Sequence, residues 1–201
     1  MTNKTDTPED RQIVEKVLNG DTNAFATIVK DTEVLVAQIV FKMVDNKEER
    51  RDLAQDIYMK AYKNLPGFRF GSKLSTWIAQ ISYNTCLDYL RKKKLVLDND
   101  LYTEDPEAEQ AGRVNCFQAE PNFRADAGIS KKELLEILKA EIEKLSPVYK
   151  ILITLYHNEE LSYEEIARIT QLPEGTLKNY LFRARKALKN SLLQHYKKEE
   201  L

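Results

Sequence analysis

Apolar residues return three and four positions apart along most of this chain, which is the spacing of one face of an α-helix. Ala24, Phe25, Ile28, Val29, Leu35, Val36, Ile39 and Val40 form one such face, and Asp21 just before them has the side chain to cap the helix they build. The pattern predicts four helices in the first half, over about 9–19, 22–44, 47–64 and 73–93. Leu65-Pro66-Gly67 ends the third, because proline removes a backbone donor and glycine permits the turn. Four more helices are expected near 129–144, 146–157, 162–170 and 174–195. The helix from 73 to 93 is apolar around most of its circumference, which argues for burial, apart from a polar strip of Gln80, Asn84, Asp88 and Arg91 within about 80° on one side.

Between the two sets of helices the period is lost. Residues 95–128 contain two prolines, two glycines, no lysine and no sustained helical spacing, so they read as a flexible linker between two small domains, 1–94 and 129–201. Only six Gly and six Pro occur in 201 residues, which leaves little material for turn-rich sheet and favours an all-α chain. The formal net charge of -1 conceals a strong asymmetry: residues 1–94 carry 16 basic and 13 acidic groups, residues 129–201 carry 13 and 11, and the linker carries two and eight. Its acidity suits a solvated tether, with mimicry of nucleic acid inside a basic channel as the sharper alternative.

The chemistry concentrates near the C-terminus. Ser162-Tyr163-Glu164-Glu165 is a capping box that starts a helix, Thr170-Gln171-Leu172-Pro173 is a turn, and proline suits the start of the next helix. Two helices around such a turn make a helix-turn-helix unit. On the second helix Leu177, Leu181, Ala184 and Leu188 fall within about 60° of one another and form the core side. Lys178, Asn179, Phe182, Arg183 and Lys186 fall opposite, combining cations for phosphate, an amide and a guanidinium for base edges, and a ring for a thymine methyl or sugar. Phe182 beside these cations sets the face apart from an ordinary solvated one.

Other chemistries find little support. Cys86 and Cys116 lie 30 positions apart without metal-ligand spacing, so no metal and no disulfide framework is suggested, and they read as small hydrophobes rather than a redox pair. His157 and His195 are far apart in sequence, and neither a Gly-rich phosphate loop nor a nucleophile with its base is evident, which argues against an enzyme and against a cofactor. The polar start of the chain lacks a signal-peptide core, and nothing approaches the ~20 apolar residues of a membrane span. A cytosolic protein without membrane insertion is expected.

The strings Leu161-Ser162-Tyr163-Glu164-Glu165-Ile166-Ala167, Leu172-Pro173-Glu174-Gly175-Thr176-Leu177-Lys178 and Arg183-Ala184-Arg185-Lys186-Ala187-Leu188 resemble region four of the extracytoplasmic-function sigma factors. Asp52-Leu53-Ala54-Gln55-Asp56-Ile57-Tyr58, Phe68-Arg69 and Ser75-Thr76-Trp77-Ile78-Ala79-Gln80-Ile81 resemble region two of the same family. Gln171 departs from the pattern, standing where the family usually places glycine in the left-handed position of the turn. The resemblance implies a transcription-initiation factor that binds core RNA polymerase through Asp52, Gln55 and Asp56 and reads promoter DNA with both domains. In region two it assigns DNA contacts to Phe68, Arg69, Lys73, Asn84, Asp88 and Arg91, with the orienting of Arg91 as the alternative role for Asp88. Trp77, set among Leu74, Ile78 and Ile81, reads as a core residue rather than a wedge between bases. It also implies an anti-sigma factor as a partner. No long heptad run offers a dimer seam, so a monomer is expected when the chain is free, and a free-standing helix-turn-helix regulator is the competing reading. The family's two promoter elements lie on the order of 50 Å apart, whereas a relaxed coil of the linker's length spans only ~32 Å, so the tether must be stretched in use.

Overall fold

The computed structural model of the chain describes residues 8–97 and 131–199, and among these every regular element is helical. In chain order they are α1 (Pro8–Leu18), α2 (Thr22–Met43), α3 (Lys47–Asn64), a 3-10 turn (Leu65–Gly67), α4 (Leu74–Leu97), α5 (Lys131–Glu143), α6 (Pro147–His157), α7 (Tyr163–Thr170) and α8 (Glu174–Glu199). The starts follow from local chemistry. Asp21 accepts from the amides of Asn23 and Ala24, Asn46 from those of Glu48 and Glu49, and Ser146 from that of Tyr149, satisfying donors that a first helical turn leaves unpaired. Helix α4 runs to Leu97, past the expected boundary at 94, and the remainder of the expected linker, with Cys116, lies outside the described residues.

In the N-terminal module α4 is the central helix, packed on α2 and α3, with α1 laid across α2. None of the residues from Leu74 to Leu87 is exposed, as its all-round apolar pattern requires. In the C-terminal module α8 packs on α5, α6 and α7. Leu177, Leu181 and Ala184 are fully buried and Leu188 nearly so, which fixes the rotation of α8 about its axis.

The two modules are not apart. Helix α7 lies on α4, and α6 lies on α2, so the core continues from one module into the other. Six consecutive residues of α6, Lys150 to Leu155, are buried. A helix packed on one layer leaves a solvent side, so this run needs cover from two directions, and α2 supplies the second. Polar clasps flank the apolar contact. Glu143 pairs with Lys42 and lies 3.6 Å from Lys150, which in turn is 3.9 Å from Asp45. On the other flank Lys73 meets Glu165 at 2.8 Å, and Arg168 donates to the carbonyl of Gly71 at 2.6 Å.

Candidate functional site

Three surfaces bring the expected residues together. On α3, Leu53, Ile57 and Ala61 turn inward, and this leaves Asp52, Gln55 and Asp56 exposed as one stripe that continues to Met59, itself 56% exposed. Tyr58, the neighbour of that stripe, is tied inward: its hydroxyl lies 3.2 Å from that of Thr32 and donates to the Val29 carbonyl. Burial pushes its phenol up, against the lowering effect of the Thr32 hydrogen bond. The stripe is thus an acidic and apolar strip held at fixed rotation on α2.

The second surface is the loop before α4 and the polar strip along it. Arg69 is exposed, but Phe68 is not: its ring is buried 4.8 Å from Phe70 and 5.1 Å from Trp77, so it braces the loop from beneath. Lys73 already has a partner in Glu165. Asn84 is half-buried, while Asp88 and Arg91 are exposed and 3.6 Å apart, the pairing expected if the carboxylate orients the guanidinium. Trp77 is half-buried against the core, as expected of a packing residue.

The third surface is the helix-turn-helix. Ser162 and Glu165 complete the capping box in both directions, and Gln171 takes the left-handed conformation at φ 59° that the turn demands of it. Residues Lys178 and Lys186 are exposed, Phe182 is 46% exposed, and Asn179 and Arg183 are half-buried at the edge of the face. Lys178 lies 3.5 Å from Glu174 and 5.7 Å above the ring of Tyr163. The sequence reading missed Arg185. It sits 4.9 Å over Tyr156, donates to His157 at 3.4 Å, and follows Lys178 by seven positions, about two helical turns, on the same line as Phe182. That spacing was the available signal. His157 lies largely exposed at the end of α6, and the partial covering of its ring together with the Arg185 charge lowers its imidazole from the ordinary value.

Buried ionisable groups elsewhere are structural. Cys86 is fully buried, and burial pushes its thiol up to about 12 despite the nearby Lys60. Glu141 is buried beneath α8, where it pairs with Lys144 and accepts from Ser191.

Two family models match this arrangement, Sigma-70 region 2 over residues 28–96 and Sigma-70 region 4 over residues 135–188. The ECF RNA polymerase sigma factor SigW of Bacillus subtilis is 34% identical over 181 residues, covering 89% of this chain and 94% of its own length. The chain belongs to the extracytoplasmic-function (ECF) sigma factors. The ECF sigma-E factor of Escherichia coli strain K12 is 31% identical, with 91% of this chain and 94% of that protein covered. Among solved structures, CnrH in complex with the cytosolic domain of CnrY superposes with a TM-score of 0.61 at 18% identity, covering 92% of this chain and 97% of that one. The sigma factor RpoE of Bartonella quintana, in complex with the anti-sigma factor NepR, gives 0.57 at 23%, covering 84% and 96%. At these identities the two structures show a shared fold. As a sigma factor the protein binds core RNA polymerase and directs it to promoters, and the free-standing regulator is set aside. No described helix of this sigma factor is long and apolar enough to cross a membrane.

Proposed function

We propose that this sigma factor docks on core polymerase through Asp52, Gln55 and Asp56 of α3, with Met59 as an apolar anchor beside them. The upstream promoter element is read by Lys178, Asn179, Phe182, Arg183 and Lys186, with Arg185 added to the phosphate contacts. Near the start site, Arg69, Lys73, Asn84 and Arg91 hold the opened strand, and Asp88 sets the position of Arg91. The observation that carries this reading is the fixed rotation of α8: its buried leucine stripe leaves Lys178, Phe182, Arg185 and Lys186 facing outward on the second helix of a helix-turn-helix. Strand opening of this kind needs no hydrolysis, since the cost of unstacking a base is offset by contacts to the extruded one.

The closed arrangement adds a step. Lys73, a phosphate contact in this reading, is held by Glu165 of the other module, and promoter elements on the order of 50 Å apart cannot both be met while α7 lies on α4. Polymerase binding must therefore separate the modules, and an anti-sigma partner acts by holding them closed. The test is run-off transcription with purified core polymerase on a pool of genomic fragments. Discrete start sites that require both components are expected; tight duplex binding by the chain alone, with no gain from polymerase, would overturn the reading.

A further inference from the structure

Helix α1 lies outside the residues matched by either family model, yet it makes two of the contacts that shape the loop before α4. The first is a cap. Lys73 precedes α4 and has only donors on its side chain, so it cannot satisfy the amides of the first turn. Asp10 does so from 64 residues away, its carboxylate accepting from the amide of Leu74 at 3.1 Å. The second is a stack. The Arg11 guanidinium lies 4.7 Å over the ring of Phe70, which continues through Phe68 to Trp77 as a chain of ring contacts from the surface to the core.

Phe70 shows that this shape is imposed rather than local. It adopts φ 55°, the left-handed region that bulky residues avoid, although a glycine, Gly71, stands next to it and could take that conformation without strain. A free loop would move the bend onto the glycine. Here the ring is pinned between Arg11 and Phe68, and the Gly71 carbonyl accepts from Arg168 of α7, so tertiary contacts place the bend one residue early; the contacts from α1 are the ones that remain when α7 leaves α4.

We infer that α1 is a positioning element for strand opening: Asp10 and Arg11 hold the loop from Phe68 to Leu74 in the shape that receives an extruded base. A loop already ordered loses less entropy when it captures that base, so the benefit falls on opening and not on polymerase docking, which uses the exposed stripe of α3. The inference rests on the proposed role of this loop in holding the opened strand.

The experiment uses holoenzyme assembled from the full chain and a promoter duplex mapped by run-off transcription, with 2-aminopurine in the element near the start site. Asp10→Ala, which loses a helix cap, and Arg11→Ala, which loses a cation–ring contact, are each expected to lower the opened fraction about threefold to fivefold, with unchanged affinity for core polymerase. Asp10→Asn keeps an oxygen to accept from Leu74 and is expected to open as the parent does. On a template mismatched across the same element, both alanine variants are expected to recover to within about twofold, because unpairing no longer has to be driven. Arg11 is exposed, so its variant folds even if the Asp10→Ala protein does not. Opening at the parent level by Arg11→Ala, or an equal loss on the mismatched template, would overturn the inference. Failure of the parent protein to initiate at all would instead overturn the promoter reading on which it rests.

Discussion

The side chains of this sigma factor divide by what lies beneath them. Phe182 is a large ring left 46% exposed beside cations, and it takes no part in the buried leucine stripe. Phe182→Ala is therefore expected to change stability by less than about 0.5 kcal/mol while weakening binding to the upstream element, measured as thermal melting against promoter affinity. Lys186→Ala is expected to weaken binding evenly across sequences and to reduce the slope of log affinity against log salt by about one, whereas a base-reading residue would relax specificity at one position. Cys86 is the opposite case. Fully buried, with its thiol pushed up to about 12, it is expected to resist a thiol reagent at pH 8 until the chain unfolds, as peptide mapping after labelling would show. Residue identity alone was enough to nominate Lys178, Phe182 and Asp52, because an outward polar or aromatic residue on a patterned helix can be counted from the sequence. It misjudged Phe68, whose neighbours Phe70 and Trp77 come from either side of a bend that sequence spacing does not reveal.

At the scale of elements the chain was largely legible, since caps and breakers act within a few residues. The second helix was expected over 22–44 and spans Thr22–Met43, and the seventh was expected over 162–170 and spans Tyr163–Thr170. The turn between α7 and α8 gives a direct test of that local chemistry. Gln171 is exposed at φ 59°, a conformation that disfavours any residue with a Cβ. Gln171→Gly is expected to stabilise the C-terminal module by up to about 1 kcal/mol, and Ser162→Ala to destabilise it by about 1 kcal/mol through loss of the capping box. Both are read by denaturant unfolding. What the pattern did not show was what covers an apolar face. The amphipathic period announces that α6 has something to bury, but Lys42 and Glu143 are 101 residues apart in sequence, and no local rule pairs them.

For the whole molecule, the ionic clasps set a pH dependence. Burial raises the carboxyl of Glu165, but the hydrogen bond from Lys73 and those from the amide and hydroxyl of Ser162 outweigh it and hold the group below its ordinary value. Glu143 behaves alike: burial raises it, and Lys42 and Lys150 lower it further than that. The part of each depression that comes from the opposite module, Lys73 at Glu165 and Lys42 at Glu143, favours closure: it is fully present above the ordinary value of 4.5 and is lost as pH falls through the depressed value. Fluorescence transfer between a donor on α2 and an acceptor on α8 is expected to be high at pH 7, to fall below about pH 4.5, and to fall at pH 7 when core polymerase is added. Transfer unchanged by acid would show that the clasps add nothing to the contact, and transfer unchanged by polymerase would show that the modules stay closed in the holoenzyme. Because these groups are partly exposed, the apolar seam between α2 and α6 carries most of the closed state's strength.

That seam has a consequence for the life of the molecule. Helix α6 is covered by α7 and α8 on one side and by α2 on the other, so a chain whose modules separate shows water the side that faced α2. An opened molecule is thus the form most open to cleavage, and any partner that covers this face protects it by mass action.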